Sequence, residues 1–405
     1  MHDVHMQRRT KATIGHVSGD LELGDDAVIT PQMDIITIDG RIRLDGNATF
    51  TGPVRAESIK GEGNVEIQGD LTTGDIAISD GILTVTGSLA AGDVDVDRSV
   101  IVSGNLTVED LDVGGKVEVG GDLKARSADV GGSLDVKESA TLDDIDVGGT
   151  VRITKTVSCR TIDVGGSVEV GGGQISEDID VGGSFESTGP LEFDTLDVGG
   201  SVNLGGDSVG RRIDVGGVLR VKGNLKFEEI DVGGTIEIDG NAEGRSIDIG
   251  GILRVGKDLE LTGALEVGGK CRVDGMLNSN RIDIGGVIEA SEIHGQRVEV
   301  GGAVTTAKGL KASMIEIGDR ARARGPLVGD SIMIGERAAV DSVYGKTVVM
   351  KERSQAKTLN GVDLRIESRC RIEGPVLYTS SLKADEDAIF AAEPKKVDAI
   401  PNAPL

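Results

Sequence analysis

Residues 145–164 read IDVGGTVRITKTVSCRTIDV, and in them one short pattern opens, closes and opens again. Ile145 and Val147 flank Asp146, two glycines follow, and Val151 and Ile153 then flank Arg152. Apolar and polar residues that alternate over three or four positions and are then cut by glycine read as half-buried strands separated by corners, because successive strand side chains point to opposite faces. The second opening, at Ile162, falls 17 residues after the first.

The repeat extends far in both directions. Its acidic position is filled by Asp112, Asp129, Asp146, Asp163, Asp180, Asp197, Asp214, Asp231 and Asp248, always 17 residues apart. It continues through Glu266, Asp283, Glu299 and Glu316 with steps of 18, 17, 16 and 17, then fades into IMIGERAAV from Ile332 and VMKERSQAK from Val349. Upstream the frame persists in VDVDRSVIVSGNL from Val94 and in QGDL, TGSL, SGNL and GGDL, with glycine at 69, 87, 104 and 120–121.

Strands this short cannot stand alone, but a coil that returns every 17 residues stacks each on its copy at ~4.8 Å. The expected fold is all-β: a single long three-sided parallel β-helix, or β-solenoid, of about 21 turns over residues 13–380. A flexible basic N-terminal tail, 1–12, precedes it and a C-terminal cap and disordered tail, 381–405, follows. In that tail SLKADEDAIFAAE, from Ser381, is expected to form one short helix resting Ile389 and Phe390 on the last turn. The Gly-Gly pairs are expected to supply corner angles closed to branched residues.

Composition agrees. Of 405 residues 62 are Gly, aromatics make up 2% and Trp is absent, which disfavours a helical bundle; glycine has no three-residue period, which excludes collagen. Hydrophobic content of 38% is too high for a disordered chain even at a net charge of −25. That acidity disfavours a nucleic-acid partner. No run of 18 apolar residues and no signal-peptide core occur, so the expected location is cytoplasmic, with membrane association confined to the inner face. Arg8, Arg9 and Lys11, following Met1, Val4 and Met6, suffice only for a weak contact with a membrane surface.

The 17-residue turns, together with VSGDLELGDDAVI and LDGNATFTGPVRAESIKGEGNVEIQGDL near the N-terminus, resemble the bactofilins, polymer-forming cytoskeletal proteins of bacteria with relatives in archaea. The likeness in turn length covers residues 13–378, whereas a typical member has far fewer turns. The DVGG block is similar, more weakly, to glycine-rich β-helical domains of flagellar-assembly-type proteins. The first resemblance implies a structural scaffold that self-assembles as a homopolymer and organises cell shape or envelope components, with other cytoskeletal or envelope proteins as further partners. The rival reading is a non-polymerising module or ruler that docks partners along its outward faces.

No pattern of an enzyme, cofactor or metal site emerges. Cys159, Cys271 and Cys370 lack CxxC spacing and read as small buried hydrophobes. Of His2, His5, His16 and His294 only the last lies in the repeat body, in SEIHGQRVEV, and it reads as a turn histidine. The glycine pairs lack the GxxxxGK[ST] frame of a phosphate loop. The acidic column is expected to be outward and solvated, keeping the protein soluble; the sharper alternative is that it recruits cations or a basic surface of another subunit. Between Lys308 and Glu373 there are 13 basic and 9 acidic residues, so one stretch is basic in an acidic chain. Assembly is expected at the open ends of the coil, with Ile366 and Phe390 of the last turns as contacts.

Overall fold

Three short strands make each turn. In the computed structural model, which describes residues 3–403, Asp144–Val147, Thr150–Ile153 and Val157–Cys159 form one turn, and the chain then resumes at Thr161–Val164. Each strand pairs in parallel with its successor: Asp146 with Asp163, Val151 with Val168, Val157 with Gly173. The result is a parallel β-solenoid of about 23 turns at ~17-residue spacing, without helix among the described residues and close to the 21 turns expected. The strands typified by Asp144–Val147, Thr150–Ile153 and Val157–Cys159 are termed the first, second and third faces.

The chain divides into two compact units, Met1–Gly205 and Gly206–Leu405. In the first, Leu21 pairs with Ile42, a step lengthened by a bulge at 32–35 that holds Met33 out in solvent. In the second, corners open out so that strands merge: Lys270–Ile284 runs through all three faces of a turn, with a register shift between Val273 and Met276.

The alternation read from the sequence is the alternation found. Ile145, Val147, Val151, Ile153 and Val157 are buried, while Asp146 and Arg152 are exposed. Fully burying such a Val or Ile contributes about 1.5–3 kcal/mol. The interior of both units is a stack of these columns; Thr73 Oγ1 is buried without a hydrogen-bond partner among the described residues, whereas other buried polar groups have one. Ser279 Oγ donates to the carbonyl oxygens of Gly263 and Arg281 at 3.0 and 2.9 Å, and Ser354 Oγ lies 3.3 Å from Cys370 Sγ.

The role expected for the glycine pairs needs correction. Gly148 and Gly149 are not among the glycines with positive φ. They are required because turns touch at this corner: a Cβ on Gly148 would lie 2.5 Å from the Gly131 carbonyl oxygen, and one on Gly149 2.3 Å from that of Gly132. Residues of positive φ stand where the Gly-Gly pair is lost. Arg320, Arg337, Arg353 and Arg369 have φ of 59°, 55°, 58° and 57°, as do Arg9 and Asp26 at 60° in the first turns.

A second corner is held by a polar ladder. Asp70 Oδ1 accepts the Ser88 N–H, Ser88 Oγ that of Asn105, Asn105 Oδ1 that of Asp122, and Asp122 Oδ1 that of Ser139, at 2.8–3.2 Å. Asp207, Asn224, Asn241 and Asp258 repeat the device in the second unit.

Both expected tails also need correction. Val4–Met6 pairs with Leu21–Leu23 and Lys11–Ile14 with Val28–Pro31, so the described part of the expected N-terminal tail contributes to a turn. At the other end no helix forms: Val376–Ala384, Ile389–Phe390 and Lys395–Lys396 are strands. Ile389 pairs with Arg371 and Lys395 with Leu377, since period-2 alternation and a preceding turn to stack on outweigh the local helix propensity of SLKADEDAIFAAE. The chain beyond then folds back, and Ile400–Ala403 lie with Lys311, Val328 and Tyr344 around a shallow depression.

Candidate functional site

The acidic column is real and unbroken in each unit. On the first face of the first unit Asp112, Asp129, Asp146, Asp163, Asp180 and Asp197 are successive cross-strand partners, preceded by Asp95. In the second unit Asp214, Asp231, Asp248, Glu266, Asp283, Glu299 and Glu316 are likewise linked. Partial desolvation first, and then the charges of the neighbours above and below, raise Asp112, Asp146 and Asp231 above the ordinary carboxylate value. The second face differs, because there opposite charges alternate: Arg152 Nε reaches Glu169 at 2.9 Å, and Glu237 receives both Arg220 and Arg254.

Followed toward the chain termini, the column changes sign. Asp95 pairs with Ala77, which pairs with Lys60 and then Arg43. In the second unit Glu316 is followed by Met333, Val349, Arg365 and Lys383. The repeat had faded from the sequence here, and cross-strand register was the signal that would have extended it.

Within the basic stretch 308–373 most lysines are ion-paired, as Lys346 is with Asp330 and Lys357 with Asp341, but three arginines form an edge. Arg320, Arg337 and Arg353 occupy one corner on successive turns, exposed and without an ion-pair partner among the described residues. The Arg337 N–H donates to the Glu352 carbonyl oxygen at 3.0 Å and that of Arg353 to the Ser368 carbonyl oxygen at 3.0 Å, so the backbone there is in step although left-handed. Non-glycine residues in that region cost of order 1–3 kcal/mol each and persist where the surroundings hold them.

The terminal turns are where the coil lies open. Among the described residues Val4–Met6, Lys11–Ile14 and His16–Val17 each pair only with the next turn, and Ile389–Phe390 and Lys395–Lys396 only with the preceding one. Inward positions lose their cover accordingly. Leu364, Ile366 and Ile372 are buried, but their partners one turn on are not: Leu382 and Phe390 are half-buried and Ala384 is exposed. Likewise Leu21, Leu23 and Ile29 are buried while Val4, Met6 and Ala12 are half-buried. Of the two contacts expected from sequence, Phe390 lies in this last turn, whereas Ile366 is interior, covered by Ala384. Arg8, assigned to a mobile tail, is held by Asp25 through Nη2 at 2.7 Å.

The remaining candidates show no assembled chemistry. Cys159, Cys271 and Cys370 are buried and free; burial pushes the Cys159 and Cys271 thiols up to about 12 and raises that of Cys370. His294 Nε2 lies 2.6 Å from Glu292 Oε1, and this contact, with help from Lys308, lowers Glu292 below the usual carboxylate range. His5 and His16 lie against Glu22 and Asp39 at 2.7 and 2.9 Å, and His2 is outside the described residues. Among the described residues no three His, Cys, Asp or Glu side chains gather as metal ligands, and no helix is long and apolar enough to cross a membrane. Comparison of the chain with protein-family models, with curated proteins and with solved structures finds no match.

Proposed function

We propose that this chain is a structural scaffold of the bactofilin kind, a β-solenoid that self-associates end to end to give a homopolymer. The observation that carries the reading is the pair of open terminal turns. Each presents unpaired strand edges together with a half-exposed apolar cross-section, and an edge of that kind is a template for another strand. The acidic first face opposes association of like faces, so growth is directed to the ends. In this reading the protein carries no catalytic step and no cofactor. It acts in the cytoplasm, with membrane-surface contact on the inner face, and supports the positioning of envelope or cytoskeletal components. Negative-stain electron microscopy of the purified chain tests it: filaments of one uniform width are expected, and single short particles at every concentration would contradict it.

A second reading, a ruler that docks an acidic partner on its flank, is favoured by the unpaired Arg320, Arg337 and Arg353 edge. Replacing the three by Asn, which tolerates the left-handed conformation, separates the readings. Filaments that persist support the scaffold; loss of a salt-sensitive partner with no filaments in the parent chain supports the ruler.

A further inference from the structure

We propose that the last turn of one copy docks on the first turn of a second copy, head to tail, with Glu386 and Asp387 facing Arg8 and Arg9 and Phe390 stacking on Ala12. The inference rests on the scaffold reading and specifies its interface.

Three observations on separate parts of the chain converge. The first is spacing. At the corner between first and second faces, the last inward residue of one strand, the corner residue and an inward residue of the next strand stand three positions apart: Leu23, Asp26 and Ile29 in the second turn, and Ile366, Arg369 and Ile372 near the other terminus. The first turn has Met6, Arg9 and Ala12; the last has Ala384, Asp387 and Phe390. A new turn laid on the last one therefore meets a corner of matching length, with no residue to insert or remove.

The second is charge. At each open end the outermost two turns carry opposite charges at this corner. Arg8 pairs with Asp25, and Arg9 with Asp26 at 3.7 Å; Arg369 pairs with Asp387 at 3.7 Å. Docking head to tail would continue the series as Arg369, Asp387, Arg9, Asp26, with Glu386 against Arg8 beside it. Docking first turn on first turn would gather Arg8 and Arg9 of both copies at one interface, and last turn on last turn would do so for Asp385, Glu386 and Asp387. Like-charge juxtaposition at an interface costs several kcal/mol, so polarity is chosen by these few residues.

The third is volume. Phe390 is the bulkiest inward residue of the last turn, and the equivalent position of the first turn holds Ala12, half-buried and paired on one side only, with Ile29. Stacks that alternate large and small side chains interdigitate, and a Phe on Ala contact fills the column without forcing either strand apart. The returning segment Ile400–Ala403 lies on the third face with Val328 and Tyr344, so it leaves the Ile389–Phe390 edge clear.

Charge reversal decides it, read by static light scattering of the full chain at low salt. Glu386→Arg alone and Arg8→Glu alone should each raise the concentration for half-association about tenfold or more. The double variant carrying both reversals restores the opposite-charge pair across a head-to-tail contact and should return to within about threefold of the parent. Arg8→Glu also faces Asp25 within its own chain, so far-UV circular dichroism and thermal melts of each variant confirm that the first turn is kept, and Glu386, which has no such contact, provides the independent arm. A double variant weaker than either single one overturns the head-to-tail register. Singles indistinguishable from a parent that assembles overturn the proposed interface while leaving the scaffold reading in place. A parent chain monomeric at all concentrations removes the scaffold reading itself.

Discussion

Gly148 sits directly against Gly131 of the preceding turn, so close that a Cβ at 148 would lie 2.5 Å from the Gly131 carbonyl oxygen. The repeating glycine pair is thus a spacing requirement between neighbouring turns. Gly148→Ala should push two backbones apart at a site with no flexible side chain to yield, costing about 1–3 kcal/mol, as for overpacking of a core. Thermal denaturation checks this. A melt equal to that of the parent would show that the corner relaxes freely.

Facing is tested one residue away. Val147 is 0% exposed, so Val147→Asp puts an unpaired charge in an apolar column and should cost several kcal/mol. Asp146→Asn removes one of a row of like charges and should be neutral or stabilising. Each turn touches only its neighbours, so the damage should be local and visible as early fraying. The reverse ranking would mean that inward and outward positions are exchanged.

Acid should act in two opposite senses. Asp112, Asp146 and Asp231 have raised folded-state values, so the native state binds protons more readily than the unfolded chain and stability rises as pH falls through those values. Asp25 is lowered by the Asn47 backbone N–H and by Arg8, Asp207 by Asn224 and Asp387 by Ser368 and the Arg369 N–H. Their contribution is present above the unfolded carboxylate value and is lost as pH falls through the lowered ones. Melting temperature should therefore climb on mild acidification and drop in stronger acid. The climb should shrink in the triple variant Asp112→Asn, Asp146→Asn, Asp231→Asn; a climb of unchanged size would locate the effect outside the column.

The Asn105 carboxamide accepts the Asp122 N–H at 2.9 Å. Asn105→Ala should leave that amide without its partner, cost roughly 1 kcal/mol and speed hydrogen exchange at Asp122 and its neighbours. Unchanged exchange there would show that solvent replaces the ladder.

Much of this was legible in the sequence, for reasons specific to repeats. A 17-residue period fixes which residues stack, and period-2 alternation fixes which face inward, so Ile145, Val147, Val151 and Ile153 could be assigned to the core and the nine aspartates to one exposed column. What escaped was whatever depends on a neighbouring turn. The Gly-Gly pair suggests unusual angles when read along the chain, yet its cause is a carbonyl 17 residues earlier. The Asn and Asp of the SGNL and GGDL corners served only to mark the frame, because their acceptor role is exercised on the next turn. The two terminal stretches were too short to show periodicity, and only pairing with Leu21–Leu23 and Arg371–Ile372 reveals Val4–Met6 and Ile389–Phe390 as strands. Ile366 looked terminal for the same reason.

The most direct measurement is hydrogen exchange of the terminal strands as a function of protein concentration. If copies associate through their open turns, peptides containing Val4–Met6 and Ile389–Phe390 should gain protection together as concentration rises, while peptides from the centres of the two units, such as that containing Asp144–Val147, stay unchanged. Larger species forming without any change at those two strands, or terminal strands that exchange equally fast at every concentration, would contradict assembly through the ends.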